Sequence, residues 1–169
     1  MALAGRLASV PLDSIYSSDL ERAAETTRII AAAQPREVRL LPTPFLRECH
    51  YGLWEGLTRR EVALRFPEDW AEWRRGEGIG SPTGGEDFIS LAQRAGRIFD
   101  AAAGEGKAVL ISTHRGPLRA ILCHALGLDQ TFRERFLVTN CSLSALECDP
   151  SHRTRLVLLN DTSHLAGVL

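Results

Sequence analysis

The stretch STHRG (residues 112–116) is the best candidate for chemistry, because it follows an apolar run, VLI (109–111), and leads into an amphipathic run that begins at Pro117. At such a junction of strand and helix the first helical amides are free and carry partial positive charge, so anions bind there. His114 and Arg115 add side-chain donors, and the arginine fork matches two phosphate oxygens. The pattern indicates a phosphate pocket, although a histidine at this position can also be a simple helix cap.

A second stretch of the same kind, YSSDLER (16–22), lies near the start of the chain. It places hydroxyl groups, including that of Ser17, at the turn and Arg22 in the first turn of the following helix. Ser18 and Glu21 have the spacing of a capping box, in which each side chain accepts a free amide. One arginine at such a place is often only a solvated surface residue, so it is the pair of junctions that favours phosphate binding.

The loop LRECHYGLWEG (46–56) combines two carboxylates, two glycines and two large aromatic side chains, which is rich for a mere connector. Glu48 and Tyr51 are its candidate functional residues. In the alternative interpretation, Tyr51 and Trp54 only cover the edge of the sheet. Trp70 and Trp73, further along, fit either an exposed interface or a lid over the site.

Alternating strands and helices must position these residues. Strands are predicted at LDSIYSS (12–18), VRLLP (38–42), KAVLI (107–111), CSLSALE (141–147) and RLVLLN (155–160). Helices are predicted at LAGRLA (3–8), from Ser18 to about Ala33, from a capping box at Thr58 to an interruption at Pro67, over the apolar stripe Phe88–Ala102, and from Pro117 to Gly127. This order predicts an α/β three-layer sandwich around a mostly parallel central sheet, with both faces of KAVLI covered. Arg119 is expected at the surface.

Composition limits the possible partners. The 169 residues are 44% apolar and carry a formal net charge of −1, which suits one globular domain over residues 1–169. Near-neutral charge gives no reason to expect nucleic acid or an anionic membrane as a partner, and no apolar run is long enough to span a bilayer. Without a secretory signal or a zinc-like cysteine spacing, the chain is expected in the cytoplasm with its four cysteines as reduced thiols.

Six stretches in one order resemble the histidine phosphatase superfamily, which includes the cofactor-dependent phosphoglycerate mutases and many small phosphatases. They are IYSSDLERAAETT, LRECHYGLWEGLT, PTGGEDF, LISTHRGPLRAIL, TNCSLSALE and LNDTSHL. The resemblance implies a phosphoglycerate mutase-like fold and a two-step reaction through a phosphohistidine, with no metal and no cofactor. It implies that Arg22 clamps the phosphate, that Glu48 protonates the leaving oxygen, and that His114 supports charge on the phosphoryl group. The substrate contacts it implies are Ser17, Tyr51, Arg115 and Asn140.

One family hallmark is absent from this sequence. The nucleophilic histidine of the superfamily lies in an Arg-His-Gly triplet after the first strand, and no such triplet occurs in these 169 residues. Measured against the family, the chain begins inside the first helix, so we expect the first strand, its catalytic loop and the start of that helix to be missing, and the chain as given to be inactive. The alternative is a short homologue that has lost catalysis and kept a phosphate pocket.

The expected function is hydrolysis of a small phosphorylated metabolite. The WEG motif, the NDTSHL ending and the short passage of about thirty residues from Glu55 to Gly85 favour a phosphatase of the α-ribazole or broad-specificity kind. His50-Tyr51-Gly52 favours the alternative, phosphoryl transfer of the phosphoglycerate mutase type. A homodimer is compatible with either reading.

Overall fold

The computed structural model describes residues 1–75, 81–149 and 153–167, and of Arg75 the backbone alone. Its α-helices are α1 (Ala2–Leu7), α2 (Glu21–Ala32), α3 (Arg59–Arg65), α4 (Pro67–Arg75), α5 (Phe88–Gly104) and α6 (Arg115–Ala125). Its strands are β1 (Ser14–Ser18), β2 (Arg39–Thr43), β3 (Val109–Ser112), β4 (Leu143–Cys148) and β5 (Thr154–Asp161). Short 3₁₀ helices lie at Pro44–Leu46, Gly52–Trp54, Gln130–Arg135 and Ser163–Leu165.

The strands form two separate sheets in the described part of the chain. In the first, β1 is central and pairs in parallel with β2 on one side and β3 on the other. In the second, β4 pairs antiparallel with β5. The predicted α/β fold with a parallel central sheet is therefore confirmed, while the two closing strands stand apart as an antiparallel pair.

Helices cover both faces of the parallel sheet. Neighbouring residues of a strand point to opposite faces, so each strand contributes apolar side chains to both layers. Ile15 and Leu110 face the layer made by α1 and α2, where Leu7 and Ile30 are buried. On the opposite face lies the layer made by α5 and α6. The apolar residues that pack between this layer and the sheet are Tyr16, Leu46, Ala95, Phe99, Ile111 and Ile121. This arrangement gives three layers and aims the carboxyl ends of β1 and β3 at the same edge of the sheet.

Two helix starts differ in how well the sequence predicted them. Thr58 and Glu61 form the predicted capping box of α3, and Pro67 separates α3 from α4 as expected. The capping box predicted at Ser18 is wrong, because α2 begins at Glu21 with Leu20 at its N-cap. Ser18 stays in β1 instead, opposite Thr43, and its hydroxyl accepts the Leu20 amide at 3.3 Å.

An open groove of about 660 Å³ separates the two sheets, with β3 along one wall and β4 along the other. The Ala108 carbonyl accepts the Asp13 amide on the β1 side, so the backbone groups of the alternate residues Val109 and Ile111 point toward the groove. No described strand pairs with them there. All four β3 residues are only half-buried, so the prediction that both faces of this strand are covered holds poorly along the groove.

No described helix is long and apolar enough to cross a membrane. Cys49, Cys123, Cys141 and Cys148 are all free thiols.

Candidate functional site

The polar end of the groove collects most of the residues that the sequence singled out. It lies where β1 and β3 end and where α2 and α6 begin. The candidates that line it are Arg22, Glu48, Tyr51, His114, Arg115 and Asn140. The structure therefore brings together residues from four distant stretches of sequence, and we call this end of the groove the phosphate pocket.

His114 occupies the N-cap of α6 at the centre of the phosphate pocket. Its Nε2 lies 2.8 Å from the hydroxyl of Ser18, the last residue of β1. Burial of the ring, followed by the positive charges of Arg22 and Arg94, lowers the pKa of His114 from 6.5 to about 4. The ring is therefore neutral at neutral pH in the free protein, where it has one N–H to donate.

Glu48 is held against the first turn of α6. Its Oε1 accepts the amide of Cys49 at 2.8 Å and the amide of Gly116 at 3.2 Å, two residues beyond His114. A Cβ atom on Gly116 would lie 2.4 Å from that oxygen, so a larger residue there would push the carboxyl group away from the Gly116 amide. The carboxyl group thus lies at a helix N-terminus, next to the position where a phosphate would accept the free amides.

Two backbone hydrogen bonds hold the Glu48 loop against the PTGGE segment (82–86). The Leu53 amide donates to the Thr83 carbonyl at 3.0 Å, and the Glu86 amide donates to the His50 carbonyl at 2.7 Å. Gly52 has a φ of +53° and a Cβ there would lie 2.3 Å from the Thr83 carbonyl oxygen. A larger residue at Gly52 would therefore separate the two loops and move Glu48.

Arg94 on α5 supports the same loop, and sequence reasoning missed it. Its guanidinium pairs with both oxygens of Glu86 at 2.6 and 2.8 Å, and also donates to the carbonyls of Phe45 and Glu48. Glu86 lies within the PTGGEDF stretch, to which the sequence gave no specific function. A single arginine on an amphipathic helix gives no sequence signal of this kind.

Ser17, predicted to contact the substrate, does not line the phosphate pocket. Ser17 is buried, accepts a hydrogen bond from Thr27 at 2.8 Å and donates to the Ser18 carbonyl, so it braces β1 against α2. Ser18 is the serine whose hydroxyl contacts His114. Arg22 is exposed in the first turn of α2, where its charge still acts on His114.

A second cleft, of about 720 Å³, adjoins the phosphate pocket, and Tyr51 and Arg115 line both. Its aromatic wall consists of Trp54, Trp70 and Trp73. The ring centroids of Trp70 and Trp73 lie 6.0 and 5.5 Å from that of Trp54. We call it the tryptophan cleft. Burial, followed by the negative charge of Glu48, raises the pKa of Tyr51 to about 12, so its hydroxyl stays protonated.

Arg119 also lines the tryptophan cleft, and its predicted surface position is wrong. Only 16% of its side chain is exposed, since the guanidinium donates to the Phe136 carbonyl and pairs with Glu134 at 2.8 Å. The 3₁₀ helix Gln130–Arg135 folds over α6 at this point and covers the side chain, a contact that helical periodicity could not reveal.

Within residues 1–75, 81–149 and 153–167, no three histidine, cysteine, aspartate or glutamate side chains cluster as metal ligands would.

Comparison with known proteins places this geometry in a family context. A family model described as the histidine phosphatase superfamily (branch 1) matches residues 1–162. Phosphoserine phosphatase 1 of Hydrogenobacter thermophilus is 31% identical over 165 residues, which are 96% of this chain and 77% of that protein. The 2,3-bisphosphoglycerate-dependent phosphoglycerate mutase 2 of Gloeobacter violaceus is 36% identical over 145 residues, which are 82% of this chain and 65% of that protein.

Solved structures agree on the fold. The crystal structure of the α-ribazole phosphatase from Shigella flexneri matches with a TM-score of 0.83 at 26% identity, covering 95% of this chain and 79% of that one. The phosphoglycerate mutase-like architecture expected from the sequence is therefore confirmed.

Proposed function

Because the chain belongs to the histidine phosphatase superfamily (branch 1), we propose that it forms the greater part of a phosphatase that hydrolyses a small-molecule phosphate monoester through a phosphohistidine. The observation that carries this proposal is the contact of the Glu48 carboxyl group with the Gly116 amide, beside His114. It places a carboxyl group that can exchange a proton beside a helix N-terminus that can hold phosphoryl oxygens, and phosphoryl transfer to water can use both.

Each pocket residue has a part in the proposed reaction. In the first step a histidine nitrogen bonds to phosphorus while the bond from phosphorus to the alcohol oxygen breaks, and Glu48 gives its proton to that oxygen. Arg22 and the amide of Arg115, the first of α6, stabilise charge on the phosphoryl oxygens, and the neutral His114 ring donates its N–H to one of them. Water then attacks phosphorus, Glu48 takes up its proton, and inorganic phosphate leaves the regenerated histidine.

The nucleophile is proposed to lie on a strand in the groove between β3 and β4. All four residues of β3 line the groove, which ends at the phosphate pocket. A strand parallel to β3 would pair with the free backbone groups of Val109 and Ile111 and end at the phosphate pocket. An Arg-His-Gly triplet at that end would face Glu48 and His114.

Genomic sequence and activity together test this proposal. An in-frame stretch upstream of the Met1 codon that encodes an apolar strand and Arg-His-Gly would support it. The longer protein should hydrolyse phosphate monoesters without added metal, whereas residues 1–169 alone should give no phosphohistidine and no turnover above background. Robust hydrolysis by residues 1–169 that is abolished in His114→Ala would refute the assignment and make His114 the nucleophile.

Residues 1–169 should still bind anions weakly. Arg22, His114 and two helix N-termini remain, but each missing charge-assisted contact costs about 1.5–3 kcal/mol, so we expect millimolar or weaker binding of vanadate. This residual affinity is also what the alternative reading, an inactive phosphate-binding homologue, would show. Absence of any catalytically competent longer form would favour that reading.

Phosphoryl transfer of the mutase type is the second candidate, favoured by the 36% identity to the Gloeobacter violaceus mutase. The 31% identity to a phosphoserine phosphatase and the fold match to an α-ribazole phosphatase support hydrolysis, in a broad-specificity or α-ribazole-like enzyme. Incubating the active form with 3-phosphoglycerate separates the two, because a phosphatase releases inorganic phosphate and a mutase makes an isomeric ester.

A further inference from the structure

We propose that Asp19 and Arg47 are positioning residues that hold the Glu48 loop at a fixed distance from the first turn of α2, which carries Arg22. The inference rests on the proposed function, in which Arg22 holds the phosphoryl oxygens and Glu48 exchanges the proton. Neither Asp19 nor Arg47 lines the groove, so both act through their neighbours in the chain.

The geometry of the pair is the first argument. The Arg47 guanidinium donates from Nε to Oδ1 and from Nη2 to Oδ2 of Asp19, both at 2.6 Å. Two parallel hydrogen bonds of this kind fix orientation as well as distance. The hydrogen bonds from Arg47 also hold the pKa of Asp19 below its ordinary value, so the carboxylate stays charged and the pair persists well into mild acid.

The places of the two residues in the chain are the second argument. Asp19 follows the last residue of β1 and precedes α2, whose first turn carries Arg22. Arg47 immediately precedes Glu48. Arg94 ties the same loop to α5, whereas the pair of Arg47 and Asp19 ties it to the junction of β1 and α2. The ion pair therefore joins the phosphate-holding side of the pocket to its proton-exchanging side.

The third argument is that the pair completes a closed ring of contacts around the pocket. His114 contacts Ser18 at 2.8 Å, which ties α6 to β1. Glu48 accepts the Gly116 amide at 3.2 Å, which ties α6 to the Glu48 loop. The ion pair closes the ring between β1 and that loop. The first two contacts use the His114 ring and the Glu48 carboxyl group, which the proposed reaction itself needs. The ion pair uses neither, so it can hold the two sides together while phosphate is bound and the proton moves.

Amide hydrogen exchange, measured by nuclear magnetic resonance of the ¹⁵N-labelled 169-residue protein, tests the positioning without requiring activity. The Gly116 amide lies in the first turn of α6, where helical carbonyls are out of reach, so its protection depends on the Glu48 carboxyl group. We expect Arg47→Gln to speed exchange of this amide about fivefold, the change that loss of one hydrogen bond produces. The Leu118 amide, which donates to the His114 carbonyl in the same helix, should keep its exchange rate.

Arg36→Gln is the matched control. Arg36 pairs with Asp13 at 2.7 Å, and the two side chains are 54% and 30% exposed, against 52% and 28% for Arg47 and Asp19. Asp13 lies just before β1, at the opposite end of that strand. Both substitutions should cost similarly little stability, but only Arg47→Gln should affect the Gly116 amide. Asp19→Asn should match Arg47→Gln, and the double variant should be no worse than either single one, because each residue acts through the other.

The proposed longer form adds a kinetic measurement. Displacing Glu48 weakens proton donation to the leaving alcohol, so Arg47→Gln should lower kcat about tenfold for alkyl phosphates and less for p-nitrophenyl phosphate. Arg47→Lys keeps the charge but loses the two parallel hydrogen bonds, so its kcat should fall between those of the wild type and Arg47→Gln. An equal loss on both kinds of ester would contradict displacement of Glu48.

The outcomes separate this inference from the proposed function. Unchanged Gly116 exchange in Arg47→Gln, equal acceleration at Gly116 and Leu118, or the same effect in Arg36→Gln would each overturn the positioning role. Selective acceleration at Gly116, together with no hydrolysis by the longer form, would uphold the positioning and overturn the proposed function instead.

Discussion

The low pKa of His114 predicts a specific loss of stability in mild acid. A histidine in the unfolded chain titrates near 6.5, whereas His114 in the folded protein titrates near 4, because burial and then Arg22 and Arg94 disfavour its charged form. Between these values the unfolded chain binds more protons than the folded one. Lowering the pH through this range therefore favours unfolding, and raising it restores stability.

The two pKa values set the size of the effect. The contribution is negligible above pH 7.5, reaches about 2 kcal/mol at pH 5 and about 3 kcal/mol at pH 4, and levels off below the folded pKa. Because small domains unfold with about 5–15 kcal/mol in total, this single ring accounts for a measurable share of acid sensitivity.

Urea unfolding of the wild type and of His114→Gln, between pH 7.5 and pH 4.5, measures this contribution. Carboxylates titrate equally in both proteins, so the difference between the two curves isolates the histidine. We expect the wild type to lose about 2 kcal/mol more than the variant between pH 7.5 and pH 5. His50→Gln is the matched control for the removal of an imidazole, because the His50 side chain is 65% exposed. Parallel curves for the wild type and His114→Gln would refute the reasoning.

Three further predictions concern the acid, its neighbour and the open groove. In the proposed longer form, Glu48→Gln should slow hydrolysis of alkyl phosphates strongly and of p-nitrophenyl phosphate much less, because nitrophenolate leaves without a proton; equal losses on both substrates would exclude Glu48 as the acid. Gly116→Ala should cost about 0.5–1.5 kcal/mol in urea unfolding, because its Cβ displaces the Glu48 carboxyl group from the Gly116 amide, whereas Gly104→Ala, where nothing lies within 4 Å, should not destabilise, and equal effects would contradict the contact. Residues 1–169 should self-associate through the unpaired edges of β3 and β4, seen as concentration-dependent sedimentation, and a monodisperse monomer that melts cooperatively would argue against a vacant strand position.

The sequence was a good guide to the elements because their signals are local. The Thr58 capping box, the stripe of α5 and the apolar run of β3 each depend on residues within a few positions of one another. The capping box at Ser18 failed for a non-local reason. Ser18 pairs with β2 and contacts His114, and these tertiary contacts outweigh a local hydrogen-bonding preference.

The functional site shows the same contrast between residues with a local sequence signal and residues placed by tertiary contacts. Glu48, His114 and Arg22 follow from motifs at junctions and in a loop, and the structure gathers them in one pocket. Arg94 could not be found this way, because its partners lie up to 49 positions away along the chain. Arg133, in the 3₁₀ helix Gln130–Arg135, could not be found from the sequence either, because a charged residue in a polar stretch gives no sign that its side chain will be fully buried.

The Glu48 loop and the PTGGE segment are bonded to each other, so the residues between them can vary without moving either. The bonds from Leu53 to Thr83 and from Glu86 to His50 bring the two ends of residues 55–81 together at the base of the site. Length and composition between those ends can therefore change during evolution without displacing Glu48. Since this segment supplies Trp70, Trp73, Arg59 and Arg74 to the tryptophan cleft, selectivity for the alcohol can diverge among relatives while the proposed proton transfer by Glu48 is kept.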